Sequence, residues 1–416
     1  MRPDRLDVYC GDDLVGSLAD AAPLVFEYAP GWLARPAPWP LAAIPLMVGP
    51  QASAAVQACF ENLLPEGELR AYLADQRHAS TLFSLLLEVA GDTAGGFVLL
   101  PGGQTPQPPS YEATSWAALA ERLRSGPAAA LDLMGDNARI SLAGAQDKTG
   151  IALFDDGLPR LPLGTSPSTH ILKPDIRRLD KVWASAANET LVMRAAAHCG
   201  LPTAEVFFEP ATHACVVRRF DRIALADGRL GRLRQYDFCQ LSGTVSDRKY
   251  EKEGGPGIVA CADLIRRYSS QPAVDLRRLV EWIVFNLCVG NNDSHAKNLS
   301  LYIAADRRTT LTPFYDLMCT QLYPGLSKEF AFAVGGRLLP GEIGRPELEA
   351  MARELGMKPA FVVRLAAAMA QRVPAAMAQA VAQIAPQLSP TERVLAERLQ
   401  AFASGTARKL AARLAA

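Results

Sequence analysis

The 416-residue sequence has no surplus of either charge: 43 Lys and Arg stand against 43 Asp and Glu, a formal net charge of zero. Chains that grip nucleic acid directly usually carry a basic excess, so that role is excluded as the dominant one. A local basic patch, or DNA contact through a partner, remains compatible with the composition. No run approaches the ~20 apolar residues needed to span a bilayer. The opening MRPDRLDVYCGDD lacks the continuous apolar stretch of a secretory signal. The eight cysteines (Cys10, Cys59, Cys199, Cys215, Cys239, Cys261, Cys288, Cys319) form no C-x-x-C pair, and only five histidines accompany them. They offer no zinc-ligand spacing and read as small buried hydrophobes in a reduced, cytoplasmic setting.

What is present is core-forming material. At 49% hydrophobic and 21% charged residues, the chain can bury sizeable cores, in two or three globular units. Residues 6–30 read as short strands (LDVYC, LVGSL, LVFEY) around a Gly11-Asp12-Asp13 turn. Residues 52–90 change to helical periodicity, and GGFVLL at 95–100 reads as another strand. PGGQTPQPPS at 101–110 is the best linker candidate. A helix near 115–125 and a β-rich region over 138–235 follow, the latter including THILKP, the helix NETLVMRAAAHCG, and the strands LPTAEVFFE and ACVVRRF. From 275 onward the pattern is mostly helical, with short strands at LSLYI and near LTPF. The order predicts an α+β chain with a two-lobed catalytic unit and a ligand cleft between the lobes.

One segment carries the strongest chemical signal: VGNNDSHAKNLSLYI, residues 289–303, between an apolar helix and a strand. Asp293 and Asn298 stand at D-x-x-x-x-N spacing, the spacing of a protein-kinase catalytic loop. There a carboxylate orients the attacking hydroxyl, and a neutral oxygen nearby helps hold the metal that neutralises phosphate charge. Capping of a turn by polar residues is the plain alternative, and local hydrogen bonding is the plain alternative for His295. Asp316, in LTPFYDLMCT, supplies a second carboxylate after a short strand and matches a metal-chelating Asp; an N-cap for a helix over LMCT is the plain alternative and is compatible with that role. Lys173, in THILKP, sits on an apolar strand where it needs an anionic partner. ATP phosphates would supply one, and Glu189 could form the pair that positions it; an exposed strand-end lysine is the alternative. SLAGAQDKTG, 141–150, offers a small-residue turn whose N–H groups could approach phosphate. It is neither G-x-G-x-x-G nor Walker A, and a hairpin turn is the alternative. No H-R-D or D-F-G tripeptide accompanies these groups.

Together these segments resemble the HipA family, kinase toxins of bacterial type II toxin–antitoxin modules. FEYAPGWLA, FENLLPEGELR, SLAGAQDKT, THILKP, VVRRFDR, RKYEKEGGPG, NDSHAKN and LTPFYDLM follow one another along the whole chain. The resemblance implies a β-rich N-terminal domain (1–100), the remainder of a kinase N-lobe (101–235), and a mostly helical C-lobe (236–416). It also implies a protein serine/threonine kinase using ATP and Mg²⁺. Asp293 would be the base, Asn298 and Asp316 the Mg²⁺ ligands, and Lys173 the phosphate-binding lysine. Ala143, Gly144, Ala145, Gln146, Asp147, Lys148 and Thr149 would form a phosphate loop, with Ser141 as an autophosphorylated serine. The backbone of Arg218 and Phe220 would meet adenine, and Glu189, His295 and Lys297 complete the nucleotide set. The implied partners are a separately encoded, DNA-binding HipB-like antitoxin and a protein substrate such as an aminoacyl-tRNA synthetase or another translation factor. Two departures stand out: Ser294 where the best-known members carry Gly, and Arg218 where an acidic residue is familiar. An antitoxin-dependent co-repressor without kinase activity and a small-molecule phosphotransferase remain the competing readings.

Overall fold

A computed structural model describes residues 3–124, 130, 140–142, 146–226, 228–304 and 306–415. The chain divides into two compact units that interleave in sequence. The first takes residues 1–172, 219–248 and 302–308; the second takes 173–218, 249–301 and 309–416.

The first unit begins with a four-stranded antiparallel sheet, ordered Val25–Tyr28, Asp13–Ala19, Arg5–Cys10, Phe97–Pro101. Leu6, Val8, Val15, Leu18 and Phe26 are fully buried from it. Phe60, from the helix Ala54–Glu61, packs on Phe26 with ring centroids 5.6 Å apart. Ser53 starts that helix by accepting the Val56 N–H, as a serine N-cap does. Gly16 is required where the strands meet, because a Cβ there would lie 2.3 Å from the Glu27 carbonyl oxygen. Residues 102–109 carry no regular structure, as the Pro/Gly content predicts. Beyond them, Ser110–Ala113, Pro159–Leu163 and Thr149–Leu153 run antiparallel in succession, and His170–Leu172 pairs with Thr149–Ile151.

A buried ionic knot closes this unit. Asp92 is fully buried and receives Arg222 at 2.6 Å, Arg232 at 3.2 Å and Arg219 at 3.3 Å, plus the Ser168 hydroxyl at 2.6 Å. Arg219 and Arg222 also pair with buried Asp221, at 2.8 and 2.9 Å. Burial is the largest influence on Asp221 and would raise its pKa, but Arg219 and Arg222 overcome it and hold the value at about 2.

The second unit is dominated by helices. Pro359–Ile384 packs against Pro390–Ala415, Ser185–His198 and Pro272–Val289. The stretch from Leu279 to Val289 is buried on all sides, as a helix apolar around its whole circumference must be. Gly290 ends it in the left-handed conformation (φ 72°), the usual glycine stop. The strands Val206–Glu209 and Ala214–Arg218 form an antiparallel pair beside the Ser185–His198 helix. None of the eight cysteines is in a disulfide, and seven are buried.

Candidate active site

Four of the sequence-derived residues converge within the second unit. Lys173 is buried, and its Nζ donates to Glu189 Oε1 at 2.6 Å and to Asp316 Oδ1 at 2.6 Å. The exposed-lysine alternative is therefore wrong: the ammonium bridges two carboxylates. Burial is the largest influence on Lys173 and would lower its pKa, but Asp316 and Glu189 outweigh it, and the net shift is upward. Glu189 is 1% exposed on the helix Ser185–His198. Its neighbour Asn188 ties that helix to the segment after Asp316, donating to the Cys319 carbonyl at 2.9 Å and accepting the Cys319 N–H at 2.9 Å.

Asp316 is held in a conformation that side chains rarely adopt, with φ 60°. Such a residue persists where its surroundings over-determine it. Here the Phe314 N–H donates to the Pro202 carbonyl at 2.7 Å and the Ala204 N–H to the Phe314 carbonyl at 2.9 Å. The Tyr315 hydroxyl donates to the Lys297 carbonyl at 2.8 Å. Residues 317–320, directly after Asp316, form no helix, so the N-cap alternative fails. The second oxygen, Oδ2, accepts Asn298 Nδ2 at 2.9 Å, which joins the catalytic-loop candidate to the lysine bridge.

The loop after Gly290 is fixed at several points. Asn291 Nδ2 donates to Asn286 Oδ1 at 2.9 Å, the Asn292 N–H to the Thr320 hydroxyl at 2.9 Å, and Asn292 Nδ2 to the Ser327 carbonyl at 3.0 Å. Asn298 Oδ1 accepts the His295 N–H at 3.1 Å, and the Asn298 N–H donates to the His295 carbonyl at 2.9 Å. Ser294 is buried and donates to the Asn291 carbonyl at 3.2 Å. Its φ is not among the positive values of the chain, so a serine is accommodated without strain. Lys297 is buried, and Asp293 is exposed.

The donor chemistry at Asp316 and Asn298 suits a hard cation, which takes oxygen ligands. Asn298 gives its nitrogen to Asp316 and one lone pair of its oxygen to the His295 N–H, which leaves a second lone pair for a cation. Among the described residues no cluster of three or more His, Cys, Asp or Glu could hold a metal ion. One carboxylate and one amide accord with Mg²⁺, which takes few protein ligands and keeps waters and substrate phosphates.

Residues 140–377 match the family model of the HipA-like C-terminal domain, and residues 6–100 match that of the HipA N-terminal domain. The chain belongs to the HipA family. It is 36% identical over 346 residues to a provisionally named kinase, Y4mE, of Sinorhizobium fredii, covering 80% of each chain. It is 26% identical over 400 residues to the serine/threonine-protein kinase toxin HipA of Shewanella oneidensis, covering 92% of this chain and 90% of that one. A chain of the solved complex of Shewanella oneidensis HipA, HipB and operator DNA superposes with a TM-score of 0.84 at 24% identity, over 99% of this chain and 98% of that one. The HipA fold is thereby shared, and with it the α+β class expected from the sequence.

The remaining HipA-derived residues are divided between the two units. Ala143, Gly144 and Ala145 lie outside the described residues, as does the side chain of Ser141. Gln146, Asp147, Lys148 and Thr149 belong to the first unit, where Asp147 Oδ2 accepts the Ala130 N–H at 3.0 Å. Among the described residues the strand Ile140–Ser141 pairs in parallel with Asp92–Thr93, and the hairpin-turn alternative falls on residues 143–145, outside the described ones. The Arg218 N–H donates to the Glu205 carbonyl at 2.8 Å, which leaves the carbonyl as the Arg218 atom for any adenine contact. Its guanidinium meets Glu205 at the exposed surface. Phe220 packs edge-on against Tyr302 in the first unit, centroids 6.2 Å apart. Sequence reasoning missed Asn188, Asn291, Asn292 and Tyr250. The Asn291-Asn292 pair directly after a helix-ending glycine was the available signal for two of them.

Proposed function

We propose that the chain is an ATP- and Mg²⁺-dependent protein serine/threonine kinase acting as the toxin of a type II toxin–antitoxin pair. The observation that carries this reading is the chain of contacts Glu189–Lys173–Asp316–Asn298, with Asp293 on the same short loop as Asn298. A lysine paired with a helix glutamate, beside a carboxylate and a loop asparagine, is the arrangement phosphoryl transfer uses to hold a nucleotide. In this reading Lys173 keeps Glu189 as its anchor and offers its remaining donor capacity to phosphate oxygens. Asp316 and Asn298 would hold Mg²⁺, which supplies charge neutralisation at the phosphates. Asp293, exposed at the loop, accepts the proton of the attacking serine or threonine hydroxyl.

A HipB-like DNA-binding antitoxin is the proposed partner, supported by the assembly of the Shewanella oneidensis relative with HipB and operator DNA. A translation-related protein is the proposed substrate, and the cytoplasm the proposed location. The domain limits 1–100, 101–235 and 236–416 are retained as a proposal for how these roles are divided. Incubation with γ-labelled ATP and Mg²⁺, with and without a cell extract, tests the function. A kinase labels protein on serine or threonine. Label confined to small molecules supports a phosphotransferase instead, and no label with intact antitoxin binding supports a co-repressor.

A further inference from the structure

A group from outside the catalytic-loop segment reaches the proposed base. The Tyr250 hydroxyl donates a hydrogen bond to Asp293 Oδ1. Its ring stands edge-on to His295, with centroids 5.1 Å apart and planes at 86°. Asp293 is exposed while Tyr250 is half-buried. The tyrosine backbone is anchored: its carbonyl accepts the Glu253 N–H at 3.0 Å and the Gly255 N–H at 2.9 Å. The next residue, Glu251, accepts the Ala333 N–H at 2.7 Å. Movement at this point is therefore most readily a side-chain rotation.

A hydroxyl donating to the base carboxylate is the pairing that a phosphoryl acceptor makes just before transfer. We propose that the Tyr250 phenol occupies the acceptor-hydroxyl position at Asp293, and that an incoming serine or threonine hydroxyl must displace it. This rests on Asp293 being the base. The phenol then works as an internal competitor. It occupies the Oδ1 position from which Asp293 would activate a water, so ATP is not hydrolysed idly, and it admits only an acceptor whose surrounding contacts repay the displaced hydrogen bond. A charge-assisted bond of this kind is among the stronger ones in proteins.

The test uses the full chain with ATP and Mg²⁺ and no protein substrate, and it measures phosphate release. In that reaction a water oxygen bonds to the γ-phosphorus as the bond to the β,γ-bridging oxygen breaks. ADP leaves with the electron pair, and Asp293 takes the water proton. Tyr250→Phe keeps the ring against His295 and removes only the hydroxyl. Hydrolysis should rise about ten- to a hundredfold, the scale of one hydrogen bond to a charged group, with the KM for ATP unchanged. Tyr250→Leu, checked for folding by its melting temperature, should raise it as well. Hydrolysis at or below the wild-type rate in both variants, or none in any form, overturns the proposal. If Asp293→Asn meanwhile abolishes hydrolysis or transfer, the base assignment stands without it. If Asp293→Asn reacts at the wild-type rate, the base assignment falls and takes the proposal with it.

Discussion

Replacing Lys173 by Met should destabilise the second unit, and replacing its partner as well should restore it. Lys173 is 5% exposed, and its ammonium lies 2.6 Å from each of two carboxylates. Glu189, at 1% exposure, would be left as a buried charge without its cation. Breaking a buried pair from one side costs about 3–5 kcal/mol. The Asp316 side chain is 40% exposed, so its share is discounted for solvent screening. For a domain of ordinary size this corresponds to a fall in Tm on the order of 10 °C. Lys173→Met/Glu189→Gln removes both charges together and should recover most of the loss. Activity should be absent from both variants, because neither retains the lysine ammonium that holds the phosphates. Because the Lys173 pKa is raised, the stability it contributes is complete below the unfolded-lysine pKa of 10.5 and is lost only as pH rises through the higher folded value. A Lys173→Met protein melting within about 2 °C of wild type would refute the buried bridge, as would a double variant no more stable than the single one.

Asp293→Asn should cut phosphoryl transfer by about 10²–10⁴ while calorimetric Mg²⁺-ATP affinity stays near wild type. Asp316→Asn should weaken Mg²⁺-ATP binding yet fold normally, since asparagine tolerates a φ of 60°; Asp316→Val should lose about 1–3 kcal/mol of stability in chemical denaturation. In acid, the Asp221 carboxyl contributes stability that is present above its unfolded pKa and lost as pH falls from about 4 towards 2. A denaturation series should show that loss, and Asp221→Asn should flatten it. Mass spectrometry after incubation with Mg²⁺-ATP should find phosphate on Ser141 in the wild type and none in Asp293→Asn. The modified form should bind ATP more weakly, since the added −1.5 to −2 charges repel the nucleotide.

Much of this was legible in residue pattern. Periodicity located the strands from Arg5 to Tyr28, and the apolar run before Gly290 gave the helix that presents the loop. The D-x-x-x-x-N spacing gave Asp293 and Asn298, and an apolar strand carrying one lysine gave Lys173. The lysine bridge was half legible: Glu189 follows in the next helix, but Asp316 joins it from 143 residues further along the chain. Spacing says nothing of such closure. Nor could it show that Asp316 owes its conformation to clamps on Phe314 and Tyr315, or that Ile140–Ser141 pairs with Asp92–Thr93. Two-residue parallel pairings leave no periodic trace. The Asp92 knot was invisible for a related reason: Arg219 and Arg222 lie in the VVRRFDR segment, but nothing in its spacing points to Asp92, 127 residues before Arg219.

The central claim is that Asp293 removes the acceptor's proton while Lys173, Asp316 and Asn298 hold the nucleotide. The most direct measurement is single-turnover transfer of γ-labelled phosphate by wild type and Asp293→Asn, both saturated with Mg²⁺-ATP as verified by calorimetry. The account predicts equal nucleotide binding, label on protein serine or threonine in the wild type, and transfer reduced at least about a hundredfold in Asp293→Asn. Transfer at the wild-type rate by Asp293→Asn would contradict it.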